Sequence, residues 1–468
     1  MLIFRGTLKK FLIFFNLIFV FFLAKNSFAG VSLIRDAETE KFLHNLADPI
    51  FSAAGLNPQN IKIYIVNDNS INAFVSGGQN IFINTGLIRK YKTPDALIGV
   101  LAHESGHIAA GHLARSSEGA KQAEGALLLS YLLGIGAAVG GSPDAGMALI
   151  LGGSQSAQRL YMKFTRSQEE AADQHAINYL DRLSYPANGL INLLEFFESE
   201  MIGYKGQIDE YLLSHPVSRK RIDLIKARTA NKNFSDKKIN QRLQKSMDSV
   251  LAKLEGFMEN PDELLRKYQN KNDATANYIK SVALFRNGKI DEALQLLDQL
   301  INANSAQNLI WFEAGFLFEL KGQILFESGR IADSIAAYNQ AIKSLDASDS
   351  ALAKISFSSA ILSLKENDAD LIKLAIKRLR EVEEVENENP FLFKQLASAY
   401  SKIDDEAMAL LTLAEFNFLI GEKDKCHKYA TEAKEKLASS KKKELLRADD
   451  LLDLTKDEEG KKGSKGAI

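Results

Sequence analysis

Thr93-Pro94-Asp95-Ala96-Leu97-Ile98-Gly99-Val100-Leu101-Ala102-His103-Glu104-Ser105-Gly106-His107 joins a helix start to a pair of imidazoles four residues apart. Thr93 suits an N-cap, Pro94 the first helical position and Asp95 the positive end of the helix dipole. The pattern predicts a helix from Pro94 to about Arg115. On it His103 and His107 share one face, so both rings can reach one cation, while Glu104 projects about 100° around the axis toward a water held by that cation. Composition alone would produce such a pattern in roughly one chain in a hundred, so a second motif has to carry part of the weight.

That motif is Glu169-Glu170-Ala171-Ala172-Asp173, a carboxylate pair at i and i+4 on another expected helix. A hydrolytic zinc site uses three protein ligands and keeps a fourth position open. Glu169 completes a set with His103 and His107. Asp173 is then placed to accept from the distal nitrogen of a ligating histidine, fixing its tautomer. Glu170 lies one residue off the face shared with Asp173. His112 is assigned a structural or surface role: the metzincin pattern needs Gly and His three and six residues after His107, where Ala110 and Leu113 stand. His44, His175 and His427 are left outside the site. His215, in Ser214-His215-Pro216, sits in an expected loop stiffened by proline. It is a candidate either to donate a hydrogen bond to the oxyanion of a tetrahedral intermediate or to occupy the open metal position in a resting form.

Composition narrows the alternatives. The 468 residues are 46% hydrophobic and 25% charged, enough for two or three globular domains. The formal charge of -1 gives no basic field for nucleic acid, which is excluded as an expected partner. With Cys426 as the one cysteine, no internal disulfide can form and cysteine-based zinc sites are ruled out. Arg5, Lys9 and Lys10 precede the largely apolar run Phe11 to Ala24, and Ser27-Phe28-Ala29 supplies small residues, so a signal peptide cleaved after Ala29 is expected. Its removal would take the formal charge from -1 to -5. An exported chain with a single cysteine suits a bacterial periplasm.

The expected organisation is a signal peptide over 1–29, a metalloprotease domain over 30–255, an all-α helical-repeat domain over 256–438 and a disordered charged tail over 439–468. Ile61, Ile63 and Ile65 alternate with Lys62 and Tyr64, and Ile81 and Ile83 repeat the two-residue spacing after the Gly77-Gly78 turn, so two strands are expected around it. Residues 116–160, rich in Gly, Ala and Leu, read as a buried hairpin or a lid with possible peripheral membrane contact. Further on, Gly288-Lys289-Ile290-Asp291-Glu292-Ala293-Leu294 recurs as Gly329-Arg330-Ile331-Ala332-Asp333-Ser334-Ile335 and, more loosely, from Gly421. This is the helix-turn-helix grammar of tetratricopeptide repeats. Asn389-Pro390-Phe391 opens a further unit.

Leu33 to Glu38, Asn72 to Val75, Asn84 to Leu87, the His103 helix, Thr165 to Asp173, and Ser214-His215-Pro216 with Arg221 together resemble the gluzincin family that includes the CAAX prenyl endopeptidases. Within it they resemble the exported, repeat-bearing branch. The resemblance implies an α+β zincin-like fold, mainly helical with a small sheet, and one Zn2+ on His103, His107 and Glu169. It also implies a base at Glu104, a regulatory or catalytic contact at His215 and Arg221, and a link to outer-membrane protein assembly. Polypeptide substrates are expected to add as an extended strand to an edge presented by Asn80 to Asn84 together with Asn72 to Val75, with Asn72, Ala73 and Phe74 as the contact residues. Two alternatives remain open: a chaperone or assembly scaffold with latent protease activity, and, more weakly, an integral membrane protease.

Overall fold

The computed structural model describes residues 32–76, 78–112, 165–203, 215–230, 240–307 and 312–456. The expected signal peptide, the 116–160 segment and the last twelve residues lie outside these. The chain divides into two compact units, Thr39–Leu251 and a second made of the residues up to Glu38 together with those from Ala252 onward.

A two-residue strand β1 (Leu33–Ile34) and the start of helix α1 (Ala37–Ala53) belong to the second unit; in the first, the rest of α1 leads to strands β2 (Ile63–Val66), β3 (Ala73–Ser76) and β4 (Asn80–Asn84). β2 pairs parallel with β4, and β3 pairs antiparallel with β4, so β3 ends the order β2-β4-β3. The alternation seen in the sequence sets the faces: Ile63, Ile65, Ile81, Ile83 and Ala73 are buried. Across the register Phe82 stacks between Tyr64 and Phe74 at 5.0 and 5.1 Å. Helix α2 (Thr85–Lys90) follows directly, and α3 (Asp95–Ala109) packs against β3. α3 starts one residue later than expected, with Pro94 as its cap, and stops six residues earlier, because Gly111 turns left-handed at φ +64°. Ala96 to Ala102 are buried all around the helix, which is therefore a core helix. Next come α4, helical over residues 165–183, α5 (Asn188–Gly203), α6 (Arg219–Thr229) and α7 (Gln241–Met258), whose C-terminal part belongs to the second unit.

The second unit is all helical after α7: α8 (Pro261–Lys267), α9 (Ala274–Arg286), α10 (Ile290–Gln307), α11 (Ala314–Glu327), α12 (Ile331–Ser344), α13 (Ala351–Leu362), α14 (Ala369–Arg380), α15 (Pro390–Lys402), α16 (Glu406–Leu419), α17 (Lys423–Lys436) and α18 (Lys442–Thr455). Gly288, Gly329 and Gly421, the repeated glycines of the sequence, each turn between two helices at φ 75°, 82° and 78°. Asn389 caps α15 through its side chain, with Pro390 at the first position. The fold is thus an α+β unit followed by helical repeats. The expectation of a disordered tail from 439 does not hold for 442–455. There Leu445, Ala448, Leu451 and Leu452 recur at helical spacing and pack against Cys426, Ala430, Ala433 and Leu437, which offsets the high charge of the segment.

The N-terminal segment is fastened within this second unit by charge. Arg35 donates to both oxygens of Glu386 at 2.7 and 2.9 Å, and Asn389 donates to the same carboxylate. The Lys253 ammonium lies 2.6 Å from Asp36 and 3.1 Å from Glu38. Burial opposes its charge, but the two carboxylates outweigh burial and hold Lys253 well above the ordinary lysine value. Lys253→Met removes the cation that bridges Asp36 and Glu38 and is expected to cost about 3–5 kcal/mol of stability. Thermal unfolding checks this: the single variant should melt lower, and adding Asp36→Asn with Glu38→Gln should restore most of the loss. An unchanged midpoint for Lys253→Met would show the pairing to be energetically idle.

Candidate metal centre

Two helices bring the ionisable groups together, and they approach closely because the contact is made of small residues. A Cβ built on Gly106 would lie 2.7 Å from the carbonyl oxygen of Ala172, so the α3 and α4 backbones meet at the turn that carries His107. That approach faces His103 and His107 toward Glu169 and Asp173. His103 Nε2 lies 3.2 Å from Glu169 Oε2, His107 Nε2 lies 3.2 Å from Glu169 Oε1, and the two Nε2 atoms are 3.1 Å apart. On the far side of its ring, His103 Nδ1 is 2.9 Å from Asp173 Oδ1. Glu170 lies outside the cluster and pairs with Lys220.

The third element is the segment 215–221. Ser218 caps α6 by accepting from the Arg221 amide, which seats Arg221 in the first turn with its side chain fully buried. Its guanidinium donates to both oxygens of Asp173 at 2.7 and 2.8 Å and to the Pro216 carbonyl at 2.9 Å, and stands 2.9 Å from Glu169. Beside it His215 Nδ1 is 3.2 Å from Glu169 Oε2 and Nε2 is 3.5 Å from Glu104 Oε1. His103, His107, Glu169 and His215 each offer a donor atom within 4.8 Å of the others.

These groups fit a small divalent cation. Ligands about 2.0–2.1 Å from a tetrahedral ion stand about 3.3 Å from each other, close to the 3.1 and 3.2 Å separations among His103, His107 and Glu169. Glu104 is 1% exposed, and among the described residues neither of its carboxylate oxygens receives a hydrogen bond, as expected of a group whose partner is a ligand or a water.

The protonation pattern of the metal-free site agrees. Burial pushes Glu104 up, only partly opposed by His215 and His103. Burial likewise pushes His107 down to about 3, helped by the charge of His103, and leaves it neutral. His103 moves the other way, to about 10, because its bonds to Asp173 and Glu169 outweigh burial. Glu169 stays well below the usual carboxylate range: burial would raise it, but His215, His103 and His107 prevail. Arg221 does the same for Asp173.

Every residue assigned to the metal and its chemistry from the sequence, namely His103, Glu104, His107, Glu169, Asp173, His215 and Arg221, therefore stands in one buried cluster. The expected substrate residues lie nearby but not in it. Asn72 and Ala73 are buried, the Asn72 carbonyl accepts from the Asn84 amide, and Phe74 is taken up by its stacking on Phe82. The expectation that Asn80 to Asn84 presents an edge is not met, because β4 is paired on both sides by β2 and β3; what remains is the backbone of the terminal strand β3 beside α3. One residue set aside in the sequence reading belongs with the cluster: His112 Nδ1 is 3.0 Å from His107 Nδ1.

A carboxylate kept dry beside facing imidazoles suits metal-dependent hydrolysis. Residues 35–229 match Peptidase family M48. It is 30% identical over 294 residues to a beta-barrel assembly-enhancing protease of Yersinia pestis, covering 61% of this chain and 58% of that one. The protein of the same name from Escherichia coli (strain K12) is 27% identical over 281 residues, covering 58% and 56%. Mitochondrial metalloendopeptidase OMA1 of Schizosaccharomyces pombe is 25% identical over 188 residues, covering 39% and 51%. The chain thus spans somewhat over half the length of the beta-barrel assembly-enhancing proteases it matches.

Because the Gly106 contact is backbone against backbone, Gly106→Ala has to push the two helices apart. The expected outcome is a loss of about 1–3 kcal/mol in the metal-free protein together with weaker metal binding. Calorimetric unfolding and a metal titration read both, and a variant unchanged in each would contradict the close approach.

Proposed function

We propose that the chain is a zinc-dependent metalloendopeptidase of the bacterial periplasm that cleaves unfolded or misassembled envelope polypeptides, its helical-repeat unit holding clients or a partner protein. The observation that carries the hydrolytic reading is Glu104: a buried carboxylate that receives no hydrogen bond from the described residues, one residue along the helix from His103, in a cluster whose donor atoms lie within 4.8 Å of one another. The names of the relatives favour an envelope-assembly setting. Among the described residues no helix is long and apolar enough to cross a membrane.

His103, His107 and Glu169 are the proposed ligands. A zinc ion held there supplies Lewis acidity toward the scissile carbonyl and toward water. Glu104 takes the proton of the attacking water and delivers it to the leaving nitrogen as the C–N bond breaks, a task suited to a carboxyl pushed upward by burial. His215, beside Glu169 and Glu104, would either join the residues that hold the ion in a resting form or donate a hydrogen bond to the oxyanion of the tetrahedral intermediate. Asp173 and Arg221 orient His103 and Glu169. Substrate is proposed to lie as an extended strand along β3, at the level of Asn72, Ala73 and Phe74, using main-chain hydrogen bonds.

Glu104→Gln is expected to keep the metal while lowering casein cleavage at least about a hundredfold, whereas His103→Ala should lose the metal itself. Chelation should abolish turnover of the wild type and added Zn2+ restore it. Full turnover by Glu104→Gln would remove this residue from the mechanism. Client capture by a wild-type protein that never cleaves would instead favour the scaffold reading.

A further inference from the structure

We propose that His112 is a positioning residue of the metal centre, accepting the Nδ1 proton of His107 and thereby holding the other ring nitrogen of His107 toward the ion. The proposal rests on the reading of His103, His107 and Glu169 as ligands, and adds a residue that the ligand motif does not contain.

The argument starts from ring orientation. His107 presents Nε2 to Glu169 Oε1 at 3.2 Å and to His103 Nε2 at 3.1 Å, so Nε2 is its ligating atom. A neutral imidazole has one donor and one acceptor nitrogen. With the Nε2 lone pair given to a metal, the proton sits on Nδ1 and that atom can only donate. What it faces, at 3.0 Å, is the Nδ1 of His112, which must then accept and carry its own proton on Nε2. The donor and acceptor roles of the pair follow from the metal contact.

The backbone is shaped to deliver this contact. Five residues further along an unbroken helix a side chain stands about 140° around the axis, away from His107. Gly111 removes that obstacle by ending α3 at φ +64°, with its amide bonded back to the Ile108 carbonyl. A Cβ on Gly111 would meet nothing within 4 Å, so the glycine is required by conformation and not by space. The chain then turns His112 back onto His107, where it is 6% exposed. Gln168, the neighbour of Glu169 on α4, donates to the His112 carbonyl at 3.3 Å and ties the turn to the helix that supplies the carboxylate.

The two histidine ligands are thus supported unequally. His103 leans on a carboxylate that is itself held by Arg221, and His107 leans on a neutral ring, a weaker acceptor. His107 is the ligand whose orientation has the smaller reserve.

The full-length protein, stripped by a chelator and titrated with Zn2+ in competition with a chromophoric indicator, tests the assignment, with Co2+ absorption reporting ligand geometry. His112→Leu removes the acceptor and is expected to weaken Zn2+ binding about 10–100-fold and to alter the Co2+ bands. His112→Asn, whose side-chain oxygen reaches the place of the ring Nδ1, is expected to recover most of the affinity. His112→Phe replaces the Leu variant should that one not fold, and unfolding of each metal-free protein separates packing loss from ligand loss. Wild-type affinity and spectrum in the Leu or Phe variant overturn the proposal, as does an Asn variant no better than Leu. A wild-type protein that binds neither ion overturns instead the metal reading on which the proposal rests.

Discussion

The metal centre depends on one buried guanidinium. Glu169 and Asp173 sit one turn apart on α4, both out of contact with solvent, and two carboxylates that close either protonate or share a cation. Arg221 lets both stay ionised, binding Asp173 through two donors and standing against Glu169 through a third nitrogen. Bidentate, planar recognition suits arginine and not lysine. Its bond to the Pro216 carbonyl then anchors the segment that carries His215. Glu169, Asp173 and the segment that carries His215 are in this way registered on one side chain, itself seated by the Ser218 cap.

Close helix approach supplies the second constraint. Gly99 faces Leu190 on α5 and Gly106 faces Ala172 on α4, each nearer than a side chain would permit. The metal helix is therefore clamped along its length by backbone contacts, which position side chains more tightly than loops do. The helix also has to stop at the right residue. Continued to Arg115, as its sequence suggested, it would have carried residue 112 away from the ring it now touches.

Sequence legibility followed the range of the interaction. His103 with His107 and Glu169 with Asp173 are i, i+4 pairs, and helical periodicity alone places such pairs on a face. The glycines at 288, 329 and 421 were readable because a left-handed turn selects that residue locally. His112 was not readable, since its place depends on a helix break and a partner five residues back. The anchoring of Arg35 on Glu386 spans 351 residues and leaves no periodic trace. The helix over 442–455 was hidden differently: its charged residues dominate composition, while the Leu445, Ala448, Leu451 and Leu452 stripe that decides its folding occupies one face.

The chain buries a second charged cluster, and comparing the two shows what makes one of them a binding site. Around Lys253 the cation meets carboxylates directly, so attraction already links neighbours. At the metal centre the two Nε2 atoms of His103 and His107 face each other at 3.1 Å, and two lone pairs so placed repel unless a positive charge lies between them. Hydrogen bonds and charge from Asp173 and Glu169 outweigh burial and raise His103 to about 10, while burial lowers His107 to about 3. A divalent ion satisfies both lone pairs and Glu169 at once, where a proton satisfies one contact. On the proposed reading, the carboxylates that stabilise a proton on His103 are the groups that would stabilise the ion.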